Sequence, residues 1–454
     1  MKTILITISR GGTARNILQS KVFGSLRRSG ARLVILTPAA KDQRFLNEFS
    51  GDNVFFEDLP EGVWTWMDKI LVGWHKGLVY NDSTGMRDLY GIYNPKEGSY
   101  LKYLFKKFFF FPLSKLNFLK RLARKLDAHL VKDSMYSEIF EKYKPDLVFS
   151  TSIMEDADVP VLKQAKQRGI RTVGMAKTWD NISKMSFRVK TDKLIVWGDY
   201  SKNEAKIFQD YGDDEIAVCG IPQFDFYADE YFFTGREEFF KENGLDPNKK
   251  LIVFASEGKV SKYDGEVAEI IAGYIKENKI VVPAELFIRP HFMYKGDEEK
   301  FKFLAGSGAV IDKGYRHSEA FRDRWDYSKE QIKKFTNLMR YADVVITSAS
   351  TISLDAAAFD RPVINIAFDG RHKVSYAESI AHWYRSEYYK NVVETGGVWM
   401  ADGEEELLNA INSCLANPNL LASGREKMRD FFCYKIDGKS GLRIADEVLR
   451  FLEE

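Results

Sequence analysis

At 454 residues, with 45% apolar and 29% charged side chains, the chain has globular composition and exceeds one ordinary core, so two domains of roughly 200 residues each are expected and disorder is not indicated. A formal net charge of +2 excludes a globally basic nucleic-acid binder or an acidic-substrate trap, leaving such roles to local patches. The three scattered cysteines, Cys219, Cys414 and Cys433, have no metal-ligand spacing, which argues against zinc and fits a reducing compartment.

The opening MKTILITISRGG has too few apolar residues before Arg10 for a signal sequence, and no later run approaches the ~20 apolar residues of a membrane span. A cytoplasmic protein is the expectation. Lys2 to Ile8 reads as a strand, Ser9 to Thr13 as a glycine turn, and Leu18, Val22 and Leu26 as one face of a following helix. With the run from Arg32 to Leu36 this makes a right-handed βαβ unit. GxGxxG is absent, since Gly11-Gly12 has no third glycine in register, and dinucleotide binding is disfavoured. Arg10, Gly11, Gly12 and Thr13 are kept as a substrate-binding turn.

Residues 60–130 break the rhythm. Trp64, Trp66 and Trp74 come close together, and Leu101 to Lys125 carries Phe105, Phe108, Phe109, Phe110 and Phe111 among eight Lys and Arg residues without one acid. Phenylalanines bracketed by cations suit the surface of an anionic bilayer, each cation contributing about 1 kcal/mol. A helix with a solvated basic face is the plainer reading. Nucleic acid would find no surrounding binding module, so membrane is favoured and nucleic acid is not expected.

Strands follow at Asp146 to Ser150, Arg171 to Met175 and Lys193 to Trp197, with helices from Val159 to Arg168 and Ser201 to Tyr211. Glu155, Asp156 and Asp158 follow the first of these strands, and Thr178-Trp179-Asp180-Asn181 the second. Carboxylates at neighbouring strand ends could face one cleft, where burial would tune one as a base, although an acid before a helix is also a common cap. Near residue 228 the pattern lapses, and we place a domain boundary there, dividing 1–228 from 229–454.

A second series runs through Leu251 to Ala255, Leu286 to Ile288, Val344 to Thr347 and Val363 to Ile366. Ser256-Glu257-Gly258-Lys259 and Arg289-Pro290-His291 end the first two strands, where open α/β sheets bind ligands. His291 is suited to donate to a phosphate oxygen or act as a general acid. Thr347-Ser348-Ala349-Ser350-Thr351-Ile352-Ser353-Leu354-Asp355 is a strand-to-helix turn of small hydroxyl residues, whose unhindered amides and helix N-terminus suit a diphosphate.

Taken together, Arg289-Pro290-His291, the run from Ala342 to Thr351 with Asp355, Phe359-Asp360-Arg361-Pro362-Val363 and Asp437-Gly438-Lys439-Ser440 resemble the GT-B glycosyltransferase-like proteins that include CDP-glycerol glycerophosphotransferases and capsule or lipopolysaccharide glycosyltransferases. Thr178-Trp179-Asp180-Asn181, Val196-Trp197-Gly198 and Cys219 to Asp225 extend the resemblance into the first half. It implies two Rossmann-like, doubly wound domains facing a central cleft, with the acceptor on the first and the nucleotide donor on the second. It also implies a last helix near 438–453 returning to the first domain, and contact of His291, Ser350 and Thr351 with the donor diphosphate. The phosphate turn departs from the glycerophosphotransferase pattern, which favours a nucleotide sugar over CDP-glycerol.

The resulting expectation is a metal-independent glycosyltransferase moving sugar from a nucleotide donor to a lipid-linked or polysaccharide acceptor at the inner face of the plasma membrane, with patch 101–125 on the bilayer and no cofactor. Donor contacts are assigned to Ser256, Glu257, Gly258, Lys259, Arg289, His291, Ser348, Ser350, Thr351 and Asp355. Acceptor contacts fall to Arg10, Gly11, Gly12, Thr13, Trp179 and Asn181, and the base to Asp180 or Glu155. Glycerophosphate transfer, a non-hydrolysing sugar-nucleotide 2-epimerase and a catalytically silent binding protein are the competing readings.

Overall fold

Strands with no polar face need cover on both sides, and the chain supplies it by winding helices over two separate parallel sheets. The computed structural model describes residues 1–60, 64–92, 95–130, 134–313 and 317–454. β1 (Thr3–Thr7), β2 (Arg32–Thr37), β3 (Val54–Asp58), β4 (Leu147–Ser150), β5 (Arg171–Met175), β6 (Lys193–Val196) and β7 (Ile216–Val218) form the first sheet, in the order β3-β2-β1-β4-β5-β6-β7. The second sheet holds β8 (Lys250–Ala255), β9 (Ala284–Arg289), β10 (Ala309–Ile311), β11 (Val344–Thr347), β12 (Val363–Ile366) and β13 (Val398–Ala401), in the order β10-β9-β8-β11-β12-β13. The architecture is GT-B. Strand order reverses between β1 and β4 and again between β8 and β11, and such switch points open crevices at the carboxyl ends of the strands.

Every residue of β1, β4, β6, β11 and β12 is buried, which is why these strands read as mainly apolar runs, with Lys193 of β6 and Asn365 of β12 as buried exceptions. The four strands that the sequence pattern did not reveal are β3, β7, β10 and β13, the edges of both sheets, whose side chains are largely half-buried. The helix predicted through Leu18, Val22 and Leu26 is two helices, α1 (Gly11–Leu18) and α2 (Lys21–Arg28). Ser20 makes the break, its hydroxyl accepting from the Val22 amide at 3.2 Å as the cap of α2.

Between β3 and β4 lie α3 (Trp66–Gly77), α4 (Asp82–Tyr90), α5 (Tyr100–Ser114) and α6 (Asn117–Leu130); residues 61–63 and 93–94 of the atypical segment fall outside the described residues. A buried carboxylate pins this insertion to the first lobe. Asp127 on α6 accepts from His75 on α3 (3.0 Å), twice from Arg188 (2.8 and 2.9 Å) and from Lys163, while Arg188 also reaches Asp68 on α3 (2.7 Å). Of the eight cations between 101 and 125, two are turned inward, Lys120 donating to the Ile207 carbonyl (3.0 Å) and Arg124 to the Phe187 and Gln209 carbonyls (3.1 and 2.8 Å), while the exposed Arg121 pairs with Asp210 (2.9 Å). The basic character of the patch therefore partly serves attachment. No helix among the described residues is long and apolar enough to cross a membrane.

The last helix, α8 (Ser440–Glu453), packs on α2 of the first lobe. Asp225 starts it, accepting from the amides of Ser440 (2.8 Å) and Gly441 (2.7 Å), and Lys2 donates to the Leu452 carbonyl at 2.6 Å near its end. Replacing Asp225 by Ala strands two buried amides. Asp225→Ala should therefore lower unfolding free energy by about 1–3 kcal/mol in urea titration, and a loss below the error of the measurement would show that α8 does not depend on this anchor.

Candidate functional site in the interlobe cleft

The carboxyl ends of β1, β5, β8, β9 and β11 converge on a cleft of about 350 Å³, of the size that small-molecule sites occupy. Gly12 follows β1, Lys177, Thr178 and Asp180 follow β5, Ser256 and Glu257 follow β8, Arg289 ends β9 with His291 beyond it, and Ser350 and Thr351 follow β11. Its walls carry Arg15, Arg87, Lys177, Lys184 and Arg289 against Asp180, Glu257 and Asp355, an excess of positive charge that favours an anionic ligand.

Three of these cations are held on aromatic faces. The Arg15 guanidinium lies 4.5 Å over the Trp325 ring and also reaches Gln223; Arg289 lies 4.8 Å over Phe335. Burial moves Arg15 downward from its ordinary value, with Tyr227 and Asp355 opposing. Lys184 sits 3.3 Å over Tyr388 and 2.5 Å from Asp180. Ala349, Ser350 and Thr351 are half-buried at the turn ahead of α7 (Ile352–Ala358), and their amides donate to nothing among the described residues. Turn amides and five cations thus face one space. Among the described residues no group of three or more His, Cys, Asp or Glu side chains is placed to hold a metal ion.

The carboxyls differ. Burial would raise Asp180, but Lys184 and Thr178 hold it below the ordinary carboxylate value. Glu257 is pushed up to about 7 by burial and by Asp264, against Ser350, Lys184 and Arg289. Asp355, raised to about 6 by burial, accepts from the Tyr227 hydroxyl (2.6 Å) and from Gln223 (2.8 Å), so it braces the two lobes from within the cleft wall. Burial and Arg289 push His291 down to about 4, leaving a neutral ring whose Nδ1 has no partner among the described residues. It is fitted to donate a neutral N–H to a phosphate rather than to serve as a charged acid.

Of the residues assigned from sequence, Gly12, Asp180, Ser256, Glu257, Arg289, His291, Ser350, Thr351 and Asp355 line the cleft. The others are placed elsewhere. Glu155 and Arg10 pair in a neighbouring recess of about 240 Å³ with Trp64 and Arg322; burial would raise Glu155, but Arg10 and Lys177 hold it low. The amides of Gly11 and Gly12 donate to Asp323 of the second lobe (2.9 and 3.2 Å), so the protein's own carboxylate occupies this turn. A Cβ on Gly11 would overlap the Trp325 carbonyl, which is why glycine stands there. Thr13 caps α1 through Arg10. Trp179 is buried, donating to Thr351 Oγ1 across the lobes at 3.2 Å, and Asn181 accepts from Thr178 (2.8 Å). Ser348 is buried, its carbonyl accepting from Asn365 (3.2 Å); Gly258, at φ +60°, backs onto Tyr294; Lys259 is exposed. Asp158 is neither a cap nor in the cleft, but is buried under Thr7 and Ser150 (2.7 Å to the latter).

Sequence reasoning missed Arg15, Arg87, Lys177, Lys184 and Gln223. Arg15 was within reach, since it falls on the helix opened by the glycine turn. Arg87 was not, because α4 belongs to the insertion.

Residues 164–450 match the family described as CDP-glycerol:poly(glycerophosphate) glycerophosphotransferase. No curated protein matches by sequence. Among solved structures, the UDP-GlcNAc 2-epimerase from Neisseria meningitidis bound to UDP-GlcNAc is similar with a TM-score of 0.58 at 13% identity, over 99% of this chain and 100% of that one. A glycosyltransferase from Rickettsia africae gives 0.53 at 14%, over 99% of both chains. The wall teichoic acid polymerase TagF soaked with CDPG gives 0.50 at 11%, over 100% of this chain and 89% of that one. At such identities these structures share the fold.

Glu257 titrates near 7 when folded against an ordinary value of 4.5, so the folded state keeps the proton between those values, and ionisation above them costs stability. Glu257→Gln should accordingly be more stable than the native protein at pH 8, by on the order of 1–3 kcal/mol, and nearly equal to it at pH 4.5. Parallel thermal melts at the two pH values check this; an equal difference at both would show that Glu257 does not titrate in this range.

Proposed function

Because the chain belongs to the CDP-glycerol:poly(glycerophosphate) glycerophosphotransferase family, we propose that its interlobe cleft binds a nucleoside-diphosphate-activated donor and passes the activated group to a hydroxyl of a cell-surface glycan. The observation that carries this reading is the convergence of Arg15, Arg87, Lys177, Lys184 and Arg289 with the open amides of residues 349–351. Fixed positive charge and amide dipoles in a half-closed cleft stabilise the charge that develops on a departing phosphate. His291 adds a neutral donor. The reading requires no divalent ion, so chelation should leave turnover unchanged.

Two bonds are available in such a donor. In glycosyl transfer the acceptor oxygen forms a bond to the sugar C1, the C1–O bond to phosphate breaks, the acceptor proton passes to a carboxylate, and a nucleoside diphosphate leaves. In glycerophosphate transfer the acceptor attacks the distal phosphorus, the bridging P–O bond breaks, and a nucleoside monophosphate leaves. The Thr-Ser-Ala-Ser-Thr turn favours a nucleotide sugar, while the family match favours CDP-glycerol as the second reading. For the base, Asp180 and Glu257 both reach the cleft; Glu257, near 7, is better matched to proton transfer at neutral pH.

A ligand at 100 times its Kd stabilises by about 2.7 kcal/mol. One of UDP, CDP, GDP, dTDP or CMP should therefore raise the melting temperature, and Arg289→Ala should weaken that nucleotide by about ten-fold or more. Chromatography of the nucleotide released in turnover then separates the two chemistries. If none of the five shifts the melt, the donor assignment fails.

The same reading places the insertion on a bilayer. Leu101, Phe105 and Phe108 are 79, 61 and 76% exposed along α5, with Lys102, Lys115 and Lys125 exposed nearby. Phe105→Ser combined with Phe108→Ser should abolish most co-sedimentation with phosphatidylglycerol-containing vesicles. Undiminished binding of that variant would remove the membrane from the proposal.

A further inference from the structure

A further concavity, of about 430 Å³, lies across α4 from the cleft. Arg87 and Ile92, on and just beyond α4, face the cleft, while Gly85, Leu89 and Tyr90 face this groove. The turn Ile380–Arg385 divides them in the same way, with Ile380 and Trp383 on the cleft and Arg385 on the groove. The outer wall is α5, where Tyr103, Lys107 and Phe111 recur every four residues and so share one face. The groove thus lies between the helix that exposes Phe105 and Phe108 and the cleft that collects the cations.

Tyr80 stands in this groove, 5% exposed, and its hydroxyl has no hydrogen-bond partner among the described residues. A buried phenol ordinarily finds one, so the atom marks a place for a polar group that the chain itself does not supply. The charges are similarly unbalanced. Asp82 is matched by Lys390 at 3.2 Å, and Asp88, behind the wall, by Lys102 and Lys106 at 2.9 Å. Lys107 meets the Tyr103 hydroxyl (2.9 Å) and feels the charge of Asp82 across the groove, and Arg385 lies over the face of Tyr376 (5.5 Å). Aromatic faces, an unpaired hydroxyl and two cations against one carboxylate that Lys390 already matches describe a recess for a compact polyhydroxylated anion.

We propose that this groove is an acceptor subsite that takes a phosphate-bearing polyol or sugar unit, its phosphate paired with Lys107 and Arg385 and its hydroxyls set against the tyrosines. The occupant is named an acceptor unit on the strength of the transferase reading; the binding site itself stands on the groove alone. A unit held here would be one helix thickness from the cleft, as the part of a polymer that trails the reacting end.

The full-length protein, Tyr80→Phe, and Lys107→Ala combined with Arg385→Ala are titrated calorimetrically with a glycerol phosphate trimer and with glucose 6-phosphate. Each variant is titrated in parallel with the nucleotide that binds the cleft. The proposal expects the native protein to bind at least one phosphorylated probe, the double variant to lose about ten-fold or more, and Tyr80→Phe to lose about three-fold, with nucleotide affinity unchanged throughout. Binding of neither probe by the native protein, or equal binding by all three proteins, overturns it. Loss of the probe with nucleotide retained in the double variant supports it, as does probe binding by a protein that binds no nucleotide, an outcome that would reject the donor cleft and spare the groove.

Discussion

The carboxylate of Asp323 rests on the first amides of α1, and the geometry of everything between the lobes depends on that contact. A helix N-terminus carries roughly half a positive charge and unpaired donors, so it would otherwise attract a ligand phosphate. Here the second lobe provides the anion, and the two glycines allow its loop to come close enough. With that turn occupied, the strand ends left open toward the cleft are those at Ser256, Arg289 and the 349–351 turn. The braces from Tyr227 and Gln223 to Asp355, and from Trp179 to Thr351, then fix the spacing of the walls.

Within those walls the charges are arranged to be unequal. Arg15 and Arg289 each lie over an aromatic ring, which limits their motion within the cleft. Asp180 is tied to Lys184 and ionised, whereas Glu257 is raised into the neutral range by burial. Two carboxyls in one cleft with separated titration ranges can divide the tasks of holding a cation in place and moving a proton.

The sequence revealed the interior of this fold better than its margins, for a physical reason. Central strands are buried on both faces and are therefore mainly apolar, so each left a readable run; β3, β7, β10 and β13 lie at sheet edges, where half-exposed side chains dilute the signal. The site was legible to the same degree. Arg289, His291, Ser350 and Thr351, expected at the cleft because they follow strand ends, do line it. Arg87 and Tyr80 come from the helical insertion between β3 and β4, the first on α4 and the second in the connection before it, and Asp323 from a loop, where position in the chain carries no information about position in space. Burial also misdirected the reading of acids: Asp158 and Glu155 looked alike in sequence, yet one is sealed under hydroxyls and the other is clamped to Arg10.

The return of α8 to the first lobe means that the polypeptide passes between the lobes twice, once after β7 and once before Ser440. A single connection would act as a swivel and permit the two halves to rotate freely about it. Two connections define a line, and movement is then reduced to opening and closing about that line, like a book about its spine. Substrate entry and product escape would follow this one degree of freedom, with the aromatic braces along the seam setting how far the covers part.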